Sequence, residues 1–349
     1  MESSKDDRQN NFDLIRLAAA LQVVILHSLG HLDIELSSRY ALLLVEMLRP
    51  FPGVPVFFVI SGYLIYMALS RSKNIVHYFK NRSLRIFPLL WASTLILSLI
   101  LIVELPLINI KEFLVWVVGQ LTIFQFYTPD SLRPFGVGTP NGALWTIPVE
   151  LQFYILLPLL FYIAKKIGKL IYFFAGVSSF LLYYLVDNFI ESEVIVKLFE
   201  VSVLFYLPHF MLGVFFAIYK DKLLPLVENR SILFLSLYII YYLLFNKKLE
   251  VYNDLYNPNL FGVGALILLA FSIISSAYSY RNLSSNILRG WDLSYGIYVF
   301  HMIIVNWLVQ HNYTREIKFL FMTLILTVVL SILSWKFIEH PALRLKNRI

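Results

Sequence analysis

Apolar residues in this chain neither alternate nor mark narrow stripes; they run on in long blocks divided by short polar connectors. The blocks lie at 12–30, 52–69, 84–104, 144–163, 169–187, 201–219, 231–246, 260–278, 292–310 and 317–338. A helix needs roughly 20 mostly apolar residues to cross a hydrocarbon layer about 30 Å thick. The pattern therefore predicts an all-α fold, a polytopic bundle of about ten transmembrane helices. A shorter block, 113–127 (FLVWVVGQLTIFQFY), fits no full span comfortably.

Composition removes the alternatives. With 59% hydrophobic residues over 349 positions, the blocks and their connectors use nearly the whole chain. No room is left for a separate soluble catalytic domain, so 1–349 reads as one membrane domain with tails at 1–11 and 339–349. The first block holds Arg16 and His27, and no small-residue cleavage site follows it. It reads as a retained helix and not as a cleaved leader.

The net charge of +7 is a topology signal, not a nucleic-acid footprint, because no basic stripe interleaved with stacking aromatics occurs. Arg71, Lys73, Lys80, Arg82 and Arg85 form one basic connector, and Lys165, Lys166 and Lys169 the next. Lys220, Lys222 and Arg230, then Arg281 and Arg289, then Arg344, Lys346 and Arg348 continue the series. Asp187, Glu191, Glu193 and Glu200 mark a connector of opposite sign. Under the positive-inside rule the basic connectors and both termini face the cytoplasm. A full crossing by 113–127 would reverse every later connector, so it reads as re-entrant or interfacial within an external connector at about 105–143. Irregular backbone at membrane depth must be buried in protein or line a cavity. With RPFGVGTPNG after it, this stretch is therefore a candidate wall of an acceptor site.

Cysteine is absent, which removes disulfides, thiolate nucleophiles, zinc–thiolate sites and iron–sulfur clusters. Chemistry must come from ionisable groups inside the spans, where they are costly. Arg16 and His27 are eleven positions apart in FDLIRLAAALQVVILHS, on nearly one helix face and about 16 Å apart along the axis. The bland alternative pairs Arg16 with Asp13 and makes His27 a packing residue. Arg82 and Arg85 share a face at the entry of the next inward-facing helix, and paired guanidiniums suit phosphate. Glu150 lies inside a span and needs a partner; His209 and His301 lie near mid-depth, where a hydrogen-bonding role is the simpler reading. His27 and His31 have no third ligand of matching type, so no metal site is expected. A phosphate-binding glycine loop and a nucleophile elbow are both missing.

Together these segments resemble the acyltransferase family 3 membrane proteins, which O-acylate bacterial surface carbohydrates, over almost the full chain. FDLIRLAAALQVVILHS is similar to the opening helix of that family, with Arg16 and His27 at its Arg-x10-His spacing. GVPVFFVISGYLI, containing Ser61, resembles its second helix, and NRSLRIFPLLW its basic third entry. LWTIPVELQFYILLP resembles the stretch that ends in Glu-x-Gln-Phe-Tyr, and LSYGIYVFHMIIV and WKFIEHPALRL place His301 and Glu339. Glu150 is followed by Leu151, where many members carry a second acid.

The resemblance implies a standalone O-acyltransferase of the bacterial inner membrane with an acyl-CoA donor, acetyl-CoA by preference. Its acceptor is expected to be a hydroxyl of an envelope glycan or lipid-linked saccharide. His27 is then the general base or acyl carrier, and Glu150 its acceptor-side partner. Arg16, Arg82 and Arg85 hold the donor phosphates; Asp13, Ser61 and His301 support. A transporter or flippase of a lipid-linked saccharide stays open as a second class, although inverted repeats and paired broken helices are not evident. A lipid acyltransferase of another family is a third.

Overall fold

The computed structural model describes residues 9–107, 109–245 and 260–347. Most of the N-terminal tail and Arg348, expected on the cytoplasmic side, lie outside the described residues. Among the described residues every regular element is helical. In chain order these are α1 Phe12–His31, α2 Arg39–Leu48, α3 Gly53–Ser70, α4 Ile75–Glu104, α5 Ile110–Leu121 and α6 Thr146–Ile167. Then follow α7 Leu170–Phe189, α8 Glu193–Glu200, α9 Val203–Ile218, α10 Lys220–Val227 and α11 Ser231–Phe245. The last are α12 Leu260–Ala277, α13 Leu283–Leu288, α14 Ser294–Gln310, α15 Ile317–Ser334 and α16 His340–Arg344. A π-turn at Trp335–Glu339 joins α15 to α16, and a 3-10 turn at Leu345–Asn347 follows.

All ten apolar blocks are helical, but they are not equally long. Among the described residues seven helices have the length and apolarity to cross a membrane, or eight if α10 and α11, bent by 84° at their junction, count as one. The blocks at 231–246, 260–278 and 292–310, which correspond to α11, α12 and α14, are the three of the expected ten that are not among these seven. The ambiguous block contributes α5, whose 12 residues reach about 18 Å, well short of the hydrocarbon thickness. It packs along α4, where the Trp91 indole donates to the Leu121 carbonyl at 3.0 Å.

The chain divides into two compact units. The first comprises 1–19, 46–72 and 152–291. Its core gathers Phe12, Val59, Tyr63, Phe216, Tyr238, Leu269 and Tyr278. α3 and α9 cross closely, because a Cβ on Gly62 would overlap the Phe210 carbonyl and one on Gly213 the Val59 carbonyl. Phe58, Phe210 and Phe153 stack beside that crossing, with centroids 4.7 and 4.1 Å apart. The start of α1 is fastened by Asn11, which donates to the Ser279 carbonyl at 2.6 Å and accepts from the Ser284 amide at 2.9 Å.

The second unit comprises 20–45, 73–151 and 292–349. At its centre α14 is buried along nearly its whole length. It packs closely on α15 at Gly296, where a Cβ would stand 3.0 Å from Ser331. α4 runs beside α14, and the Tyr295 hydroxyl donates to the Ile86 carbonyl at 3.0 Å.

Candidate active site

Two imidazoles meet in the second unit. His27, on α1, and His301, on α14, approach through Nδ1 of the first and Nε2 of the second at 3.0 Å. His301 Nδ1 lies 2.7 Å from the Tyr298 carbonyl. The proton positions follow from the partners. A carbonyl only accepts, so His301 Nδ1 carries its proton, and in a neutral ring Nε2 is then an acceptor. His27 Nδ1–H fills that acceptor, which leaves the lone pair of a neutral His27 ring on Nε2. His301 is fully buried, His27 half-buried, and His31 stands edge-on to His27 with centroids 5.6 Å apart.

The segment between α5 and α6 runs down the same helix. The Gly136 amide donates to the Gln310 side chain at 2.9 Å and the Val137 amide to Asn306 Oδ1 at 2.8 Å. Asn306 Nδ2 donates to the Thr139 and Pro140 carbonyls, each at 3.1 Å. Asn141 Nδ2 donates to the Val299 carbonyl at 3.0 Å, and the Tyr298 hydroxyl to the Ala143 carbonyl at 2.8 Å. From Gln310 to Val299 is eleven residues, so this irregular backbone descends about 16 Å along α14. Side chains of α14 thus supply the hydrogen bonds that a helix would supply internally. Gly136 has φ of +58°, and a Cβ there would also overlap Asn306 Oδ1, so the turn admits only glycine. Asn141 Oδ1 is buried with no hydrogen-bond partner among the described residues. It ends the segment beside Val299, two residues from His301. Residues 136–142, the end of the RPFGVGTPNG stretch read in the sequence as part of a candidate acceptor-site wall, lie along α14.

Glu150, one turn into α6, is within electrostatic reach of Tyr78, Tyr295 and Tyr298, at the Tyr298 end of α14. At that end Arg85 forms an ion pair with Asp292, whose other oxygen accepts from the Ser294 hydroxyl at 2.6 Å. Ser294 to His301 is seven residues, about 10 Å along the axis. Arg82 acts electrostatically on Tyr78 and on Lys346 of the final turn. Glu339 is buried in the π-turn and accepts from the Ser334 hydroxyl at 3.0 Å; such turns cluster at functional sites.

The remaining expected residues belong to the first unit. Arg16 pairs with Asp13 at 3.7 Å, on the helix that carries His27 eleven residues later. Ser61 precedes Gly62 at the α3–α9 crossing, and His209 is buried on α9 with its ring 5.9 Å from that of Tyr206. Among the described residues no three His, Cys, Asp or Glu side chains converge as metal ligands would. Reading the sequence missed Asp292 and Asn306. Each carries one available clue: an acid inside an otherwise basic connector, and an amide in the middle of an apolar helix.

A family model described as an acyltransferase domain matches residues 9–336. Nodulation protein 10 of Rhizobium leguminosarum bv. viciae is 29% identical over 98% of this chain and 95% of its own. An O-acetyl transferase of Shigella phage Sf6 is 26% identical over 95% of each chain. A putative acetyltransferase, ORF330, of Acidianus two-tailed virus is 25% identical over 72% of each. No solved structure matches. With the family model covering nearly its whole length and a set of apolar helices long enough to cross a membrane, the chain belongs to acyltransferase family 3 and is a membrane acyltransferase.

Proposed function

We propose that this protein is an O-acetyltransferase of the bacterial inner membrane, working as one domain with both termini in the cytoplasm. In this reading it moves acetyl from cytoplasmic acetyl-CoA to a hydroxyl of an envelope glycan such as O-antigen, capsule or exopolysaccharide. The observation that carries the proposal is the chain from the Tyr298 carbonyl through His301 to His27, which leaves the lone pair of the neutral His27 ring on Nε2 as a base. Histidine is the side chain most often used as general base toward a hydroxyl. Nε2 takes the hydroxyl proton as the acceptor oxygen attacks the thioester carbonyl. The carbon–sulfur bond breaks, and the proton passes to the departing thiolate to give CoA–SH. In the covalent variant Nε2 attacks the thioester carbon and the carbon–sulfur bond breaks to release the CoA thiolate; the acceptor oxygen then takes the acetyl group from Nε2, and its proton goes to the thiolate.

Donor and acceptor are assigned to opposite ends of α14. Arg85, oriented by Asp292, and Arg82 take the phosphates. The acceptor is assigned to 136–141, toward the Gln310 end, with Asn141 Oδ1 available to a sugar hydroxyl; Glu150, nearer the Tyr298 end, is assigned to position it. Two relatives named as acetyl-transferring proteins favour acetyl over longer acyl groups.

The test is release of free CoA by purified protein in detergent, wild type against His27→Ala, with and without crude envelope glycan. Glycan-dependent release by wild type is expected, with a loss of about 10²–10⁴-fold in the variant. Wild-type rates in His27→Ala would remove the role of His27. No release by folded wild type from several acyl-CoA donors would overturn the enzyme reading.

A further inference from the structure

The C-terminal turn folds back onto the donor end of the second unit. Leu345–Asn347 packs against α4, the helix that carries Arg82 and Arg85. Lys346, in that turn, is half-buried, and the charges that act on it are the Arg82 and Arg85 guanidiniums and the Asp292 carboxylate. Asp292 already pairs with Arg85 and accepts from Ser294. An ammonium is thus held half-buried within reach of two guanidiniums that repel it and of a carboxylate that attracts it. Burial, then the two arginines, pull its pKa down to about 8 from the usual lysine range. Holding a partly buried ammonium beside like charges costs free energy. The arrangement becomes favourable when an anion joins it, because three cations then share a dianion.

We propose that Lys346 is the third cation of a phosphate site made with Arg82 and Arg85, and that it holds a phosphate of the acyl-CoA nucleotide. This rests on the donor reading above and adds a residue which that reading does not include. Lys serves here as a compact point charge beside two planar forks. The phosphate of an anionic lipid headgroup offers the same chemistry, so the two sources must be separated by experiment.

Equilibrium binding by the full chain in zwitterionic nanodiscs makes the test, using wild type, Lys346→Met and Lys346→Arg. Lys346→Met should weaken acetyl-CoA and adenosine 3′,5′-bisphosphate alike by about tenfold, the loss of one charge-assisted contact. Lys346→Arg should stay within about threefold of wild type. Unchanged acetyl-CoA affinity in Lys346→Met overturns the inference, and so does a loss that Lys346→Arg fails to restore. Nanodiscs containing phosphatidylglycerol separate the sources. If Lys346→Met loses only the thermal protection given by that lipid, the phosphate is a headgroup and this inference falls while the donor reading stands. Wild type that binds no acetyl-CoA removes the donor reading together with this inference; binding that Lys346→Met leaves intact removes this inference alone.

Discussion

A single proton assignment decides what the candidate site can do. Tyr298 offers His301 a carbonyl, so the orientation of one buried ring determines which nitrogen of the other ring is left as base. His301 is therefore a positioning residue, and its replacement should affect turnover rather than binding. We expect His301→Gln to lower kcat by about 10²–10³-fold with the acetyl-CoA KM unchanged, and to shift the pH profile of the remaining activity. An unmoved pH profile together with equal loss in kcat and in donor affinity would mark His301 as packing only. His27 stood out in the sequence because it shares a helix face with Arg16. Its pairing with His301 was invisible there, since 274 residues separate the two rings and no local pattern encodes their meeting. Asp292 escaped notice for a related reason: a lone acid among basic connectors reads as noise until Arg85 is found against it.

The helices were legible because each apolar block outlasts any ambiguity about its ends. The descent of 136–146 was legible only as a composition, glycines and prolines after a short apolar block. Its course is imposed by Asn306, Gln310 and Asn141, whose hydrogen bonds reach across about 160 residues of chain. Asn306 makes four of these contacts, counting its bond to the Met302 carbonyl within α14. Removing it leaves buried backbone groups unpaired, at about 1–3 kcal/mol each. Asn306→Leu should thus lower the thermal midpoint in detergent, open 133–141 to protease and raise the acceptor KM, with acetyl-CoA binding unchanged. Equal loss of donor binding would show that the segment supports the whole second unit and not the acceptor side alone.

For the whole molecule, the alternating sign of the connectors makes a sidedness claim that the natural absence of cysteine renders easy to test. In intact cells an impermeant maleimide should label Ser192→Cys, in the acidic connector, and spare Ser285→Cys, in a basic one. Equal labelling of both would overturn the topology. The paired imidazoles also bear on how such a protein is made. Ser294–Gln310 contains no Asp, Glu, Lys or Arg, and neither does α1 between Arg16 and His31. Each segment leaves the ribosome with its reactive ring on a stretch free of formal charge, and can partition into lipid before its partner exists. A base held in place by a carboxylate would require the insertion machinery to carry an ion into the bilayer and keep it there until a later helix arrived. Building the relay from two histidines and a main-chain carbonyl defers that difficulty: a proton is taken up only once the protein is assembled and a hydroxyl is present to give it.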